Sequence, residues 1–278
     1  MDIKRIVKKY IVEIIILIIL FGLILVLIFF ISGSSKKKNL FMCYDDKSKI
    51  PQKVYDNLRK YAKEYNIKIY DDKEIIQFFK DHYSDSDRYI NKFNTFAGAH
   101  KADFWRYCVL YHYGGVYLDI KTELIKPINE IFVDDNILYT CLSAEHCCKI
   151  HQALISTPPK NPIFLDLIEH MLNIGEKYDF HAFIIYFYDK VNEYCNGVKV
   201  GLNKNLKNDI DIYLFTEGCS KNKDNINIDD KSELWDIDIN SINKIKCKEL
   251  DKYNGCCYIY NGTEPIIKTR FDDFGKTW

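Results

Sequence analysis

Asp103 and Arg106 stand three residues apart in a stretch, Ala99 to Tyr113, that is otherwise rich in apolar and aromatic side chains. In a helix that spacing puts both on one face. A carboxylate accepts and a guanidinium donates, so the two together can grip a polyhydroxylated ligand. The same spacing also describes a simple intrahelical ion pair, the commoner arrangement on helices. The stretch ends at Gly114-Gly115, continues as Val116-Tyr117-Leu118 and delivers Asp119. A glycine helix stop followed by a buried strand with an acid at its carboxyl end is where open α/β sheets bind ligands. Such an acid can hold a divalent cation against phosphate oxygens, although a turn-starting Asp would look the same.

Other clusters carry less. His146-Cys147-Cys148 with His151 offers four ligands in six residues. That crowding makes a tetrahedral zinc site awkward, so a passage from strand to loop is expected. His181 opens a helical pattern and reads as a packing or capping residue. The run Phe183-Ile-Ile-Tyr-Phe-Tyr188 reads as core rather than a sugar platform. Glycine-rich phosphate loops, zincin motifs and the Gly-x-Ser-x-Gly elbow are absent. The ten cysteines are scattered without a Cys-x-x-Cys pair and point to no metal or redox motif.

The elements that must position these residues follow from periodicity. Asn39 to Tyr44 is a short apolar run ending in Asp45-Asp46, a buried strand. Apolar positions 54, 55, 58, 61, 62 and 65 make a helical stripe; Ile67 to Tyr70 alternates like a strand, and Lys73 to His82 continues as a helix. A β-α-β-α opening favours a layered α/β domain with a largely parallel sheet. Helix is expected over Phe96 to Tyr113, Pro162 to Leu172 and His181 to Cys195; strands are expected over Val116 to Leu118, Ile137 to Leu142 and Asp211 to Phe215. Asn203 to Asn208 and Lys221 to Lys231 read as loops.

The whole chain has 278 residues, 47% hydrophobic and 28% charged, with 39 basic against 39 acidic side chains. It is too apolar for disorder, and zero net charge argues against a general nucleic-acid binder. Residues 1–35 differ from the rest. Ile14 to Ile31 is an unbroken apolar run but for Gly22, and Ile11 to Ile31 as a helix would reach roughly 32 Å, a bilayer's core thickness. A cleaved signal has a shorter apolar region, so an uncleaved transmembrane anchor is expected, followed by a globular domain over 36–278. Lys4, Arg5, Lys8 and Lys9 before the segment slightly outnumber Lys36, Lys37 and Lys38 after it, which leans toward a cytoplasmic N-terminus and a luminal domain, a type II single-pass orientation.

Residues Ala99 to Asp119 closely resemble the signature of glycosyltransferases whose sugar-binding region contains a DXD motif, glycosyltransferase family 32. That pattern runs Ala-x-x-Ala/Ser-Asp-x-x-Arg-Tyr, an apolar helix, Gly-Gly-x-Tyr and Asp-x-Asp. The resemblance, weaker elsewhere from Leu40 onward, implies a GT-A fold, the Rossmann-like α/β fold of nucleotide-diphospho-sugar transferases, and retention of anomeric configuration. It implies that Asp103 and Arg106 bind donor-sugar hydroxyls and that Asp119 is the first acid of the metal motif. Met42 and Tyr44 would line the nucleotide pocket at the end of the first strand, with Lys101, Tyr117 and Lys121 on the donor side. Ile150 to Pro162 looks like the family's acceptor-side segment. Partners would be a nucleotide-diphospho-sugar donor, a glycan or glycolipid acceptor and, through residues 11–31, a membrane.

The motif departs from the family at its second acid, reading Asp119-Ile120-Lys121. A protonated lysine cannot ligate a metal. Glu123 could substitute from the same side of an extended chain, Asp272 or Asp273 could complete the shell, or Lys121 could itself neutralise the diphosphate. A retained Mn²⁺ or Mg²⁺ is the first of these expectations. Thr277-Trp278 could play the part of the family's closing Ser-Trp pair, or be an ordinary tail. The rivals are a non-catalytic binding protein with a degenerate transferase fold, which Lys121 favours, and a glycoside hydrolase with paired carboxylates.

Overall fold

The computed structural model describes residues 18–22, 37–143, 148–219 and 257–269. The chain divides into two units, Met1–Lys37 and Lys38–Trp278. Within the first, residues 18–22 are helical, with Ile18 to Phe21 exposed. The rest of the expected anchor over 11–31 lies outside the described residues. Among the described residues no helix is long and apolar enough to cross a membrane.

The second unit is built on a ten-stranded mixed sheet. Its strands are β1 (Lys38–Cys43), β2 (Tyr65–Tyr70), β3 (Gly115–Leu118), β4 (Glu123–Leu124), β5 (Leu138–Leu142), β6 (Ile150–Thr157), β7 (Gly201–Asn203), β8 (Ile212–Cys219), β9 (Cys257–Asn261) and β10 (Glu264–Lys268). They lie in the order β2-β1-β3-β6-β5-β8-β9-β10-β4, with β7 beside β8. The helices are α1 (Gln52–Tyr61), α2 (Asp72–His82), α3 (Ser86–Thr95), α4 (Gly98–Tyr113), α5 (Ile128–Ile131), α6 (Pro162–Asn173) and α7 (Ala182–Cys195).

The expected largely parallel sheet is corrected to a mixed one. Parallel pairing is confined to β1 with β2, β1 with β3 and β5 with β8. Strand β6, which periodicity does not separate from its flanking loops, enters antiparallel between β3 and β5 and reverses the sheet at its centre. The α/β class itself stands. Apolar side chains form a core on each face: Val54 and Leu58 of α1 and Ile128 and Ile131 of α5 pack on one, and α2, α3, α4, α6 and α7 pack on the other.

Helix α4 carries the site and is buried on nearly every side, from Phe104 to Leu110 without a break. That is why it shows no amphipathic stripe: a helix hydrophobic all round belongs inside. Its end is fixed by Gly114, whose N–H bonds the Leu110 carbonyl at 2.8 Å and whose φ of 61° favours glycine. A Cβ at Gly114 would lie 2.5 Å from the Pro159 nitrogen, and one at Gly115 would lie 2.7 Å from the Asn39 carbonyl oxygen. The glycine pair therefore lets β3 turn tightly off α4 and lie directly against β1. On the neighbouring edge, α2 begins with a capping box: Asp71 accepts from the Glu74 N–H and Glu74 accepts from the Asp71 N–H, both at 2.9 Å.

Candidate functional site

The carboxyl ends of β1, β2 and β3 lie side by side and bring Cys43, Tyr70 and Asp119 to one edge of the sheet. Helix α4 crosses above them. Arg106 reaches from it and bridges two acids: Nη2 lies 3.0 Å from Asp103 Oδ1 and 3.1 Å from Asp119 Oδ1. Nη1 donates to the Gln152 carbonyl at 2.6 Å and Nε to the Ala102 carbonyl at 3.3 Å. The guanidinium also lies over the Tyr117 ring, 4.4 Å from its centroid. Its side chain is 4% exposed, while those of Asp103 and Asp119 are each 13% exposed.

This arrangement divides the roles that the sequence assigns together. Arg106 is turned inward and is largely saturated by protein acceptors, so it fixes the two acids rather than offering itself to the cleft. Asp103 and Asp119 are the groups with surface left. Asp119 Oδ1 also accepts from the Tyr117 hydroxyl at 3.0 Å, so the contacts with Arg106 and Tyr117 both fall on that oxygen. Its backbone is pinned too, its N–H donating to the Ala153 carbonyl at 2.9 Å.

The two acids titrate in opposite directions. Burial pushes the Asp103 carboxyl above its ordinary value of 3.8, because Arg106 and His100 do not fully offset desolvation and Asp119 repels it. Burial also works against ionised Asp119, but Arg106, Lys121, His151 and the Tyr117 hydroxyl outweigh it and hold that carboxyl below 3.8. One guanidinium is thus shared by two carboxylates, with the charge of Lys121 acting on both.

The other expected residues are placed as follows. Tyr117 is buried and joins Asp119 to Cys43, whose sulfur lies 3.5 Å from its hydroxyl. Met42 is wholly buried in the core on the sheet's other face and offers no side-chain surface to a nucleotide. Tyr44 packs against that same core and donates its N–H to the Tyr70 carbonyl at 3.0 Å. Lys101 pairs with Asp72 at 2.6 Å and lies over the Phe93 ring, facing α2 and α3. Lys121 sits in the turn after Asp119 and contributes charge there. Glu123 is in β4 opposite Lys268 of β10, with its carboxylate 3.9 Å from that ammonium. Asp272, Asp273 and Trp278 lie outside the described residues. Among the described residues, no group of three or more His, Cys, Asp or Glu side chains could hold a metal.

Several residues at this edge carry no sequence signal of their own. Cys43 sits behind the acids, its thiol pushed up to about 12 by burial. Gln152 receives Arg106 on its carbonyl and Tyr107 on its side-chain oxygen. His151, expected in a strand-to-loop passage, is in β6 with Nδ1 3.6 Å from Glu217 of β8. Glu217 is 5% exposed and also accepts from the Ser143 hydroxyl at 3.2 Å. Nothing local marks Gln152 as buried or pairs His151 with Glu217. Cys257 is disulfide-bonded, while Cys43, Cys108, Cys141, Cys148 and Cys195 are free thiols.

Comparison with known proteins gives two matches. Residues 49–138 match the family described as a glycosyltransferase sugar-binding region containing a DXD motif. The chain is similar to the initiation-specific alpha-1,6-mannosyltransferase of Saccharomyces cerevisiae, 30% identical over 108 residues. That alignment covers 31% of this chain and 22% of the yeast protein, so the likeness spans about a fifth of the relative's length. No solved structure matches.

Proposed function

We propose that this chain, whose residues 49–138 match the sugar-binding region of the DXD-containing glycosyltransferases, transfers a hexose from a nucleotide-diphospho-sugar to a hydroxyl of a glycan or glycolipid. The observation that carries this reading is the bridge of Arg106 between Asp103 and Asp119, 3.0 and 3.1 Å long. It sets an acid suited to sugar hydroxyls and an acid suited to the diphosphate side on one rigid frame.

In this reading Asp103 accepts hydrogen bonds from donor-sugar hydroxyls, in a buried setting where such bonds discriminate strongly. Asp119, ionised at neutral pH, presents its carboxylate toward the diphosphate. A Mn²⁺ or Mg²⁺ held there between Asp119 and the diphosphate would act as a Lewis acid on the departing phosphate oxygens. Lys121 adds positive charge on the same side as the nucleotide diphosphate leaves. Arg106 and Tyr117 keep Asp119 oriented, so little reorganisation is needed as charge develops. No nucleophilic carboxylate is assigned, and retention by front-face substitution is the stereochemical course we propose.

The direct test is turnover of a panel of UDP- and GDP-hexoses by the protein, with and without saccharide acceptors, in Mn²⁺ and in EDTA. Cleavage of one donor, lost in Asp119→Asn and Asp103→Asn, is the expected result. Turnover unchanged in both variants would discard the site. Lys121 in place of the second acid favours a second reading, a nucleotide-sugar-binding protein without transfer. Donor binding with no turnover on any acceptor would select it.

We also propose that residues 11–31 anchor the protein in a membrane as a single-pass type II segment, on the strength of their unbroken apolar run. Retention in the membrane pellet after alkaline carbonate extraction is expected, and release would overturn it.

A further inference from the structure

Phe183 and Phe187 of the aromatic run are buried in the core, whereas Phe180, just ahead of α7, keeps 64% of its surface in solvent. An exposed Phe alone is commonplace. This one is held in place by a buried imidazole. His100, 4% exposed, has Nε2 3.0 Å from the Phe180 carbonyl oxygen and Nδ1 3.0 Å from the Tyr178 hydroxyl. The His100 and Phe180 rings are 4.8 Å apart, centroid to centroid. His100 therefore fixes both sides of Asp179 and decides where the Phe180 ring is shown.

The same imidazole links that ring to the sugar acid. His100 and Asp103 are one turn apart on α4, with Cβ atoms about 5–6 Å apart by helix geometry. The imidazole acts electrostatically on Asp103, and Asp103 on the Tyr178 phenol. A pyranose is itself two-sided, with hydroxyls at its edge and a face of C–H bonds. Carboxylate and aromatic ring together match those two sides.

We propose that Phe180 is a stacking platform for a hexopyranose ring whose hydroxyls are held by Asp103. The inference rests on the transferase reading, in which that ring belongs to the donor or to the acceptor. Phe180 needs only its flat face for this role, so tryptophan can replace it while leucine, equally apolar, cannot.

The test uses the full chain in detergent and three variants, Phe180→Trp, Phe180→Leu and Phe180→Ala. Methyl hexopyranoside binding is followed by saturation-transfer NMR, alongside donor and acceptor KM. The expected result is near-normal behaviour for Phe180→Trp and a KM increase of about tenfold for Phe180→Leu and Phe180→Ala. A rise in donor KM assigns the ring to the donor, and a rise in acceptor KM assigns it to the acceptor. Normal KM values and normal saccharide binding in Phe180→Leu would overturn the platform. Saccharide binding that depends on Phe180 without any donor turnover would keep the platform and overturn the transferase reading. Neither binding nor turnover in the unmodified protein would overturn both.

Discussion

Arg106 and Asp119 meet at 3.1 Å although a helix end, the Gly114-Gly115 turn and all of β3 lie between them in the chain. The contact converts a local motif into a three-residue bridge in which one buried cation serves two buried anions. Removing the cation should be costly for that reason. Arg106→Ala is expected to destabilise the domain by roughly 3–5 kcal/mol, the range for breaking a buried ion pair. Denaturant unfolding measures it, and a loss below about 1 kcal/mol would mean that the bridge is dispensable for folding.

The opposite displacements of Asp103 and Asp119 predict opposite pH behaviour. Asp119 has its folded pKa lowered, so the stability it contributes is present above pH 3.8 and is lost as pH falls through the depressed value. Asp103 has its folded pKa raised, so its contribution is present below pH 3.8 and is lost as pH rises through the elevated value. At neutral pH in EDTA, Asp119→Asn should therefore destabilise more than Asp103→Asn. The ordering is read from unfolding free energies, and the reverse order would contradict the electrostatic picture.

Lys121 replaces the second acid of the Asp-x-Asp pattern. Turnover is expected to be lost in EDTA and restored by Mn²⁺ or Mg²⁺, and Lys121→Asp is expected to tighten Mn²⁺ binding in the presence of a nucleoside diphosphate. Titration by electron paramagnetic resonance measures that affinity. Turnover that persists undiminished in EDTA would assign the diphosphate charge to Lys121 instead.

Gly114→Ala combines a positive φ with a Cβ only 2.5 Å from Pro159. The expected loss of stability exceeds about 1 kcal/mol, because conformational strain and a backbone clash add. Thermal unfolding of Gly114→Ala beside Gly175→Ala, where a Cβ meets nothing within 4 Å, separates the turn's requirement from a general glycine effect.

Local patterns were legible because their partners are close in sequence. The i, i+3 spacing puts Asp103 and Arg106 on one helix face, the glycine pair ends α4, and Asp119 follows three apolar strand residues. Those features, with the composite motif around them, name a candidate site and point to the α/β frame that the structure has. They could not tell that Arg106 would face inward, because its remaining acceptors arrive from Gln152, 46 residues away, and from beyond a turn. Nor could they give the sheet's direction at β6, which depends on how a loop returns the chain between β3 and β5. The pairing of His151 with Glu217 and the hold of His100 on Phe180, 80 residues apart, likewise exist only once the strands and helices have packed. Side-chain chemistry and short-range periodicity are written in the sequence. Which charges share a dry interior, and which ring is left facing solvent, is decided by tertiary packing, since only there does burial set what each polar group must find as a partner.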